Sequence, residues 1–117
     1  MAPGHGETSN YKGVSNYLVS KQCVAWFNKT ENKYILVGGK KNYFGMNFHG
    51  ALIQETEEGA YEFGPALNTA RYDLGCIQGQ LHNETVIFAT GGIGHGYLKS
   101  TEILHVNNIS AGWTFGN

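Results

Sequence analysis

Lys99 and Ser100 close a glycine-rich stretch, ATGGIGHGYLKST (residues 89–101), whose composition is that of a phosphate-binding loop. Such a loop needs a glycine directly before the lysine and a helix after it, so that the first helical amides point at the phosphate. Here Leu98 precedes Lys99, and the following STEILHV alternates as a strand does. The dinucleotide pattern G-x-G-x-x-G fails too, because Gly92-Ile93-Gly94 is followed by His95-Gly96-Tyr97. The stretch is therefore expected to be an inter-strand loop with His95 and Lys99 at its tip.

Other reactive residues form no catalytic pattern. His5, His49, His82, His95 and His105 lack the close spacing of zinc ligands, and the chain has no C-x-x-C. No metal site is expected, and no cofactor. Glu55, Glu57 and Glu58 lie in ETEEG, a solvated charge run rather than an acid–base pair. Three N-x-S/T sequons begin at Asn28, Asn83 and Asn108, where composition gives about one by chance. All three fall in polar segments read as turns, which also favour Asn, Ser and Thr for conformational reasons.

The elements that must carry these residues are strands. The chain has 117 residues, 41% hydrophobic and 15% charged, which suits one small folded domain. A net charge of -1 gives no field to draw in nucleic acid. No apolar run reaches the roughly 18 residues that would insert in a membrane. The 17 glycines, about twice average usage, are scattered among Val, Ile, Tyr, Phe and Thr, the mark of many tight turns between short strands. The opening MAPGHGETSN is polar, carries no signal-peptide pattern, and is expected to fray.

The chain repeats itself. KYILVGG (33–39) matches VIFATGG (86–92) at a shift of 53, and Cys23 matches Cys76 at the same shift. AYEFGP (60–65) matches GWTFGN (112–117) at a shift of 52, and HGALIQE (49–55) faces TEILHVN (101–107). Each copy reads as four strands: Gln22–Phe27, Lys33–Val37, Gly50–Glu55 and Ala60–Phe63, then Gly75–Gln80, Thr85–Thr90, Ser100–Val106 and Gly112–Phe115. The fold class is all-β, two four-stranded antiparallel sheets. Residues 1–17 form a polar N-terminal segment, 18–67 the first repeat and 68–117 the second. Ala66–Tyr72, opened by Pro65, is the crossover between copies.

This pattern resembles the kelch repeat, over about Val19 to Asn117. The matching residues are Gly38, Gly39, Tyr43 and Tyr61 in the first copy, Gly91, Gly92, Tyr97 and Trp113 in the second, and Arg71 between them. The first copy departs from the family by Tyr61 in place of Trp and by Leu18 where a second Arg would stand. The resemblance implies two blades of a β-propeller, a fold of four to eight blades. A fragment of a longer parent with further blades is expected, ahead of a self-assembled ring or a free-standing pair. It also implies a non-enzymatic protein-interaction module that presents loops to a protein partner. The alternative is part of a propeller enzyme, of copper-oxidase or sugar-processing type, whose active site lies on other blades.

The candidate contact residues follow the glycine pairs: Lys40, Lys41 and Phe44, then His95 and Lys99. Tyr43 and Tyr97 are expected to pack between the sheets. Cys23 and Cys76, placed at equivalent positions of neighbouring sheets, are expected to lie beyond the Cα limit of about 7 Å and to be two buried thiols, not a disulfide. No compartment is fixed: a cytoplasmic one is favoured, and the sequons keep an extracellular one open.

Overall fold

The computed structural model describes residues 5–6, 19–41, 46–47, 51–55 and 61–116. They form strands β1 (His5–Gly6), β2 (Val19–Ser20), β3 (Cys23–Asn28), β4 (Lys33–Val37), β5 (Lys40–Lys41), β6 (Met46–Asn47), β7 (Ala51–Glu55) and β8 (Tyr61–Gly64). The second half gives β9 (Gly75–Leu81), β10 (Glu84–Thr90), β11 (Ile93–Gly94), β12 (Gly96–Tyr97), β13 (Thr101–His105), a 3-10 segment (Val106–Ala111) and β14 (Thr114–Gly116). The all-β expectation holds. A four-stranded antiparallel sheet, β3-β4-β7-β8, is followed by β9-β10-β13-β14, which gains β1 as a parallel edge strand on β9. Two of the residues expected to fray, His5 and Gly6, are thus paired with Gly75 and Cys76. The ribbons β2-β5-β6 and β11-β12 extend the loops that follow the two glycine pairs.

Local chemistry explains most strand ends. β9 and β10 are joined by His82-Asn83, both at positive φ (51° and 65°), the geometry of a tight turn whose twist suits a hairpin. The β3–β4 turn is looser. The Glu31 amide donates to Asn28 Oδ1 at 3.1 Å, and the Asn32 amide to the Lys29 carbonyl at 3.2 Å. The stretch 66–72 holds bends and one bridge rather than a helix, as expected of a crossover. The fourth strand of the second copy begins at Thr114, later than expected, because the chain spends Val106–Ala111 in 3-10 turns.

The two sheets bury one core. From the first come Cys23, Ala25, Ile35 and Val37, from the second Cys76, Ile87, Ala89 and Leu104, with Leu67, Leu74 and Trp113 closing it. The register shows how the faces were chosen. Val37 pairs Cys23 in the first sheet, whereas Thr90, its counterpart across the glycine pairs, pairs Gly75. Cys23 therefore corresponds to Gly75, and Val24 to Cys76. The first strand is offset by 52 residues between copies, not the 53 of the second strand. The span between paired residues is one residue shorter in the first hairpin, Trp26 to Tyr34 against Gln78 to Ile87, and a β-bulge lies between Trp26 and Asn28. Gln78 reaches across the interface to this bulge, its Nε2 donating to the Trp26 and Phe27 carbonyls at 3.3 and 3.0 Å.

That single residue overturns the cysteine expectation. A one-residue slip turns every side chain of a strand to the other face. Cys23 and Cys76 thus point at each other across the interface instead of in the same direction. They form a disulfide with Cα atoms 5.9 Å apart, inside the range a bridge requires. The bond closes a sequence separation of 53 residues. Replacing both cysteines by serine is expected to lower stability by about 2–4 kcal/mol, read as a reduced urea midpoint against the oxidised chain; an unchanged midpoint would show that the bond does not constrain the unfolded chain.

Candidate functional site

One end of the molecule is organised around the crossover, where the conformation of the glycine pairs becomes necessary. Gly38 has φ 68°, and a Cβ on it would lie 2.5 Å from the Arg71 carbonyl oxygen. Gly92 has φ 87°, and a Cβ there would lie 2.6 Å from the Tyr72 carbonyl oxygen. The two pairs thus let both sheets press their strand ends onto one segment. The Gly39 amide donates to the Arg71 carbonyl at 2.8 Å, and Tyr72 and Ile93 exchange both backbone bonds at 2.9 and 2.8 Å.

Arg71 is fully buried and spans to the second sheet. Its Nη1 donates to the Gly91 and Ser100 carbonyls at 3.0 and 2.9 Å. Its Nη2 donates to Ser100 Oγ at 2.9 Å and to Glu102 Oε2 at 3.0 Å. Glu102 is equally buried, and its carboxylate also accepts from the Asn68 and Thr69 amides at 2.7 and 3.0 Å. Trp113 closes the other side: its Nε1 donates to the Pro65 carbonyl at 2.9 Å, and its own carbonyl accepts from Asn68 Nδ2 at 2.8 Å. Each end of the crossover is thereby fixed by a side chain from the second half of the chain, Glu102 in β13 and Trp113 just before β14.

Above this buried frame lies the surface. The Tyr72 ring carries Lys40 Nζ at 4.8 Å from its centroid and Lys21 Nζ at 5.6 Å, and Lys21 also reaches Asp73 at 4.0 Å. Cations over a tyrosine face are favourable by about 0.5–1 kcal/mol each at exposed sites. Next to Tyr72, held by its backbone bonds to Ile93, the β11–β12 ribbon projects. His95 and Lys99 are exposed on it, and Tyr97 is 90% exposed. The ribbon is held at its base, where the Leu98 amide donates to the Gly92 carbonyl at 2.9 Å and the Gly91 amide to the Ser100 carbonyl at 3.1 Å.

The expected residues divide accordingly. Arg71, Trp113 and the pairs Gly38-Gly39 and Gly91-Gly92 form the frame, while Lys40, His95 and Lys99 stand on the surface above it. Tyr97 is a correction: it does not pack between the sheets, because β12 opens on Gly96 at φ 109° and turns outward. Lys41 and Tyr61 lie in β5 and β8; Tyr43 and Phe44 lie outside the described residues. The sequons at Asn28, Asn83 and Asn108 sit elsewhere, on turns at the opposite end of the sheets. Sequence reasoning missed Glu102 and Tyr72. Glu102 had a signal, since in TEILHV it shares parity with Leu104 and so stands on the apolar side.

Among known proteins, no family model matches the chain and no curated protein matches it.

Removing one partner of a buried ion pair leaves the other charge uncompensated. Glu102→Ala is therefore expected to cost about 3–5 kcal/mol, whereas Tyr97→Ala is expected to change stability by less than about 0.5 kcal/mol. Denaturant titration of the two variants checks both; equal losses would contradict the division into frame and surface.

Proposed function

We propose that the two sheets are kelch-type propeller blades and that the chain is a non-enzymatic binding module whose glycine-pair end holds a protein partner. The observation that carries this reading is Tyr97, a large aromatic side chain 90% exposed on a ribbon with a fixed base. Tyrosine and arginine are enriched at the centres of protein interfaces, where an aromatic anchor fills a pocket of the partner. At the same end stand Lys21 and Lys40, over the Tyr72 ring, and the exposed His95 and Lys99, cationic and polar groups suited to a partner that presents carboxylates beside an apolar pocket.

The blade reading is supported by the buried arginine of the crossover, by Trp113 hydrogen-bonded to Pro65, and by glycine pairs at matching strand ends. It is supported also by the outward face of the second sheet. There Ile77 is 50% exposed, and the register makes it the counterpart of Ala25, which is buried between the sheets. A further blade from a longer parent would cover that face as the second sheet covers the first.

A photo-reactive residue at position 97 identifies the partner by covalent capture, and titration with the purified partner then measures the site. Tyr97→Ala is expected to weaken binding at least tenfold, about 1.4 kcal/mol, and Lys99→Ala to weaken it less, with unfolding midpoints unchanged. Binding that survives Tyr97→Ala, His95→Ala and Lys99→Ala together would place the interface elsewhere.

A further inference from the structure

The end opposite the candidate interface has its own organisation. The β3–β4 turn, the β9–β10 hairpin and the 3-10 segment after β13 converge there and line an open cavity of about 240 Å³, walled in part by Asn28, Thr30, Thr85 and Asn107. These three turns are the ones that carry the three N-x-S/T sequons. Asn83 is exposed at the tip of its hairpin, at positive φ. Asn108 is exposed on the 3-10 segment, and Ser110 Oγ of the same sequon donates to its Oδ1 at 3.2 Å. Asn28 differs. It is half-buried, and its Oδ1 accepts from the Glu31 amide and so holds the turn.

A second observation is independent of the sequons. The Cys23–Cys76 disulfide lies in the core between the sheets, with Cys23 fully buried and Cys76 5% exposed. Disulfides of this structural kind form and persist in oxidising compartments, and cytosolic thiol buffers keep such pairs reduced. Two thiols must give up two protons and two electrons, accepted by the disulfide of an oxidoreductase. The compartment that supplies this oxidant in eukaryotes is also the one that glycosylates sequons.

From these two observations together we propose that Asn83 and Asn108 carry N-linked glycans and that the chain folds in the secretory pathway. The donor is a lipid diphosphate-linked oligosaccharide. The side-chain Nδ2 of each asparagine forms a bond to the anomeric carbon of the first sugar. The bond from that carbon to the diphosphate oxygen breaks, the lipid diphosphate leaves with the electron pair, and one amide proton is lost. The fold accommodates both products, because each asparagine is an exposed residue between paired strands and not within one. Asn28 stays unmodified. The sugars gather at the cavity end, and the glycine-pair end remains bare.

The test uses the chain isolated from its natural source. Enzymatic deglycosylation in water labelled with heavy oxygen converts each glycosylated asparagine to a labelled aspartate, which peptide mass spectrometry locates; thiol counting under denaturing, non-reducing conditions reads the cysteines. Label at positions 83 and 108, none at 28, and no free thiol is the expected result. Absence of label at either position overturns that assignment. Label at Asn28 overturns the accessibility argument, and two free thiols overturn the compartment. In secreted expression the Asn83→Gln and Asn108→Gln chains are each expected to lose one glycan from the intact mass; an unchanged mass for both would reject the sites.

Discussion

The contact between Arg71 and Glu102 is the constraint on which the arrangement of the two sheets rests. A buried guanidinium is tolerated only where acceptors surround it, and here the acceptors come from the strand ends of the second sheet and from Ser100. The backbone of the same residue accepts from Gly39, just past the end of β4 in the first sheet. One residue therefore joins both sheets, by its carbonyl to one and by its side chain to the other. Everything nearby conforms to it. Gly38 lacks a Cβ because the Arg71 carbonyl occupies that space, and Glu102 is charged on an apolar face because the guanidinium needs it. Asn68 and Thr69 turn their amides toward the carboxylate, which fixes the path of the crossover.

Fixing the sheets in this way leaves the loops free to differ. The span from Val37 to Ala51, paired across the second and third strands, shrinks in the second copy to that from Thr90 to Thr101. The span from the third to the fourth strand grows by two residues, from Ala51–Gly64 to Thr101–Gly116, and the 3-10 turns take up the excess. Both sheets keep apolar side chains in the shared core while the connections between their strands change. The exposed β11–β12 ribbon is one product of that freedom.

Much of this was legible in the residues. The glycine pairs, the apolar runs before them and the FG pairs at the ends gave strands within a residue or two of those found. Phe63 and Phe115 do correspond at the expected shift of 52. Two of the failures share one cause, the matching of strands by residue letter. Matching cysteines by letter placed Cys23 on Cys76, although the bulge after Trp26 sets the hairpins one residue apart, and no residue type announces such a bulge. The third strand was likewise matched at a shift of 52 where the register gives 50, Ala51 answering to Thr101. That error is even, so it left the faces correct. The cysteine error was odd, so it reversed them. Tyr97 failed for a different reason: a short ribbon between two glycines has no periodicity from which to read its direction.

The register has a consequence for symmetry. The face that the first sheet turns inward, through Ala25, Ile35 and Val37, corresponds to the face that the second turns outward, through Ile77, Phe88 and Thr90. The sheets therefore meet by unlike faces, and the operation relating them is a step in one direction, not a two-fold axis. Contacts of this heterologous kind build rings or open arrays, never closed pairs. The disulfide joins non-equivalent positions for the same reason. A directional stack cannot bring a residue against its own counterpart, so a covalent link between neighbours must pair one site with a different one.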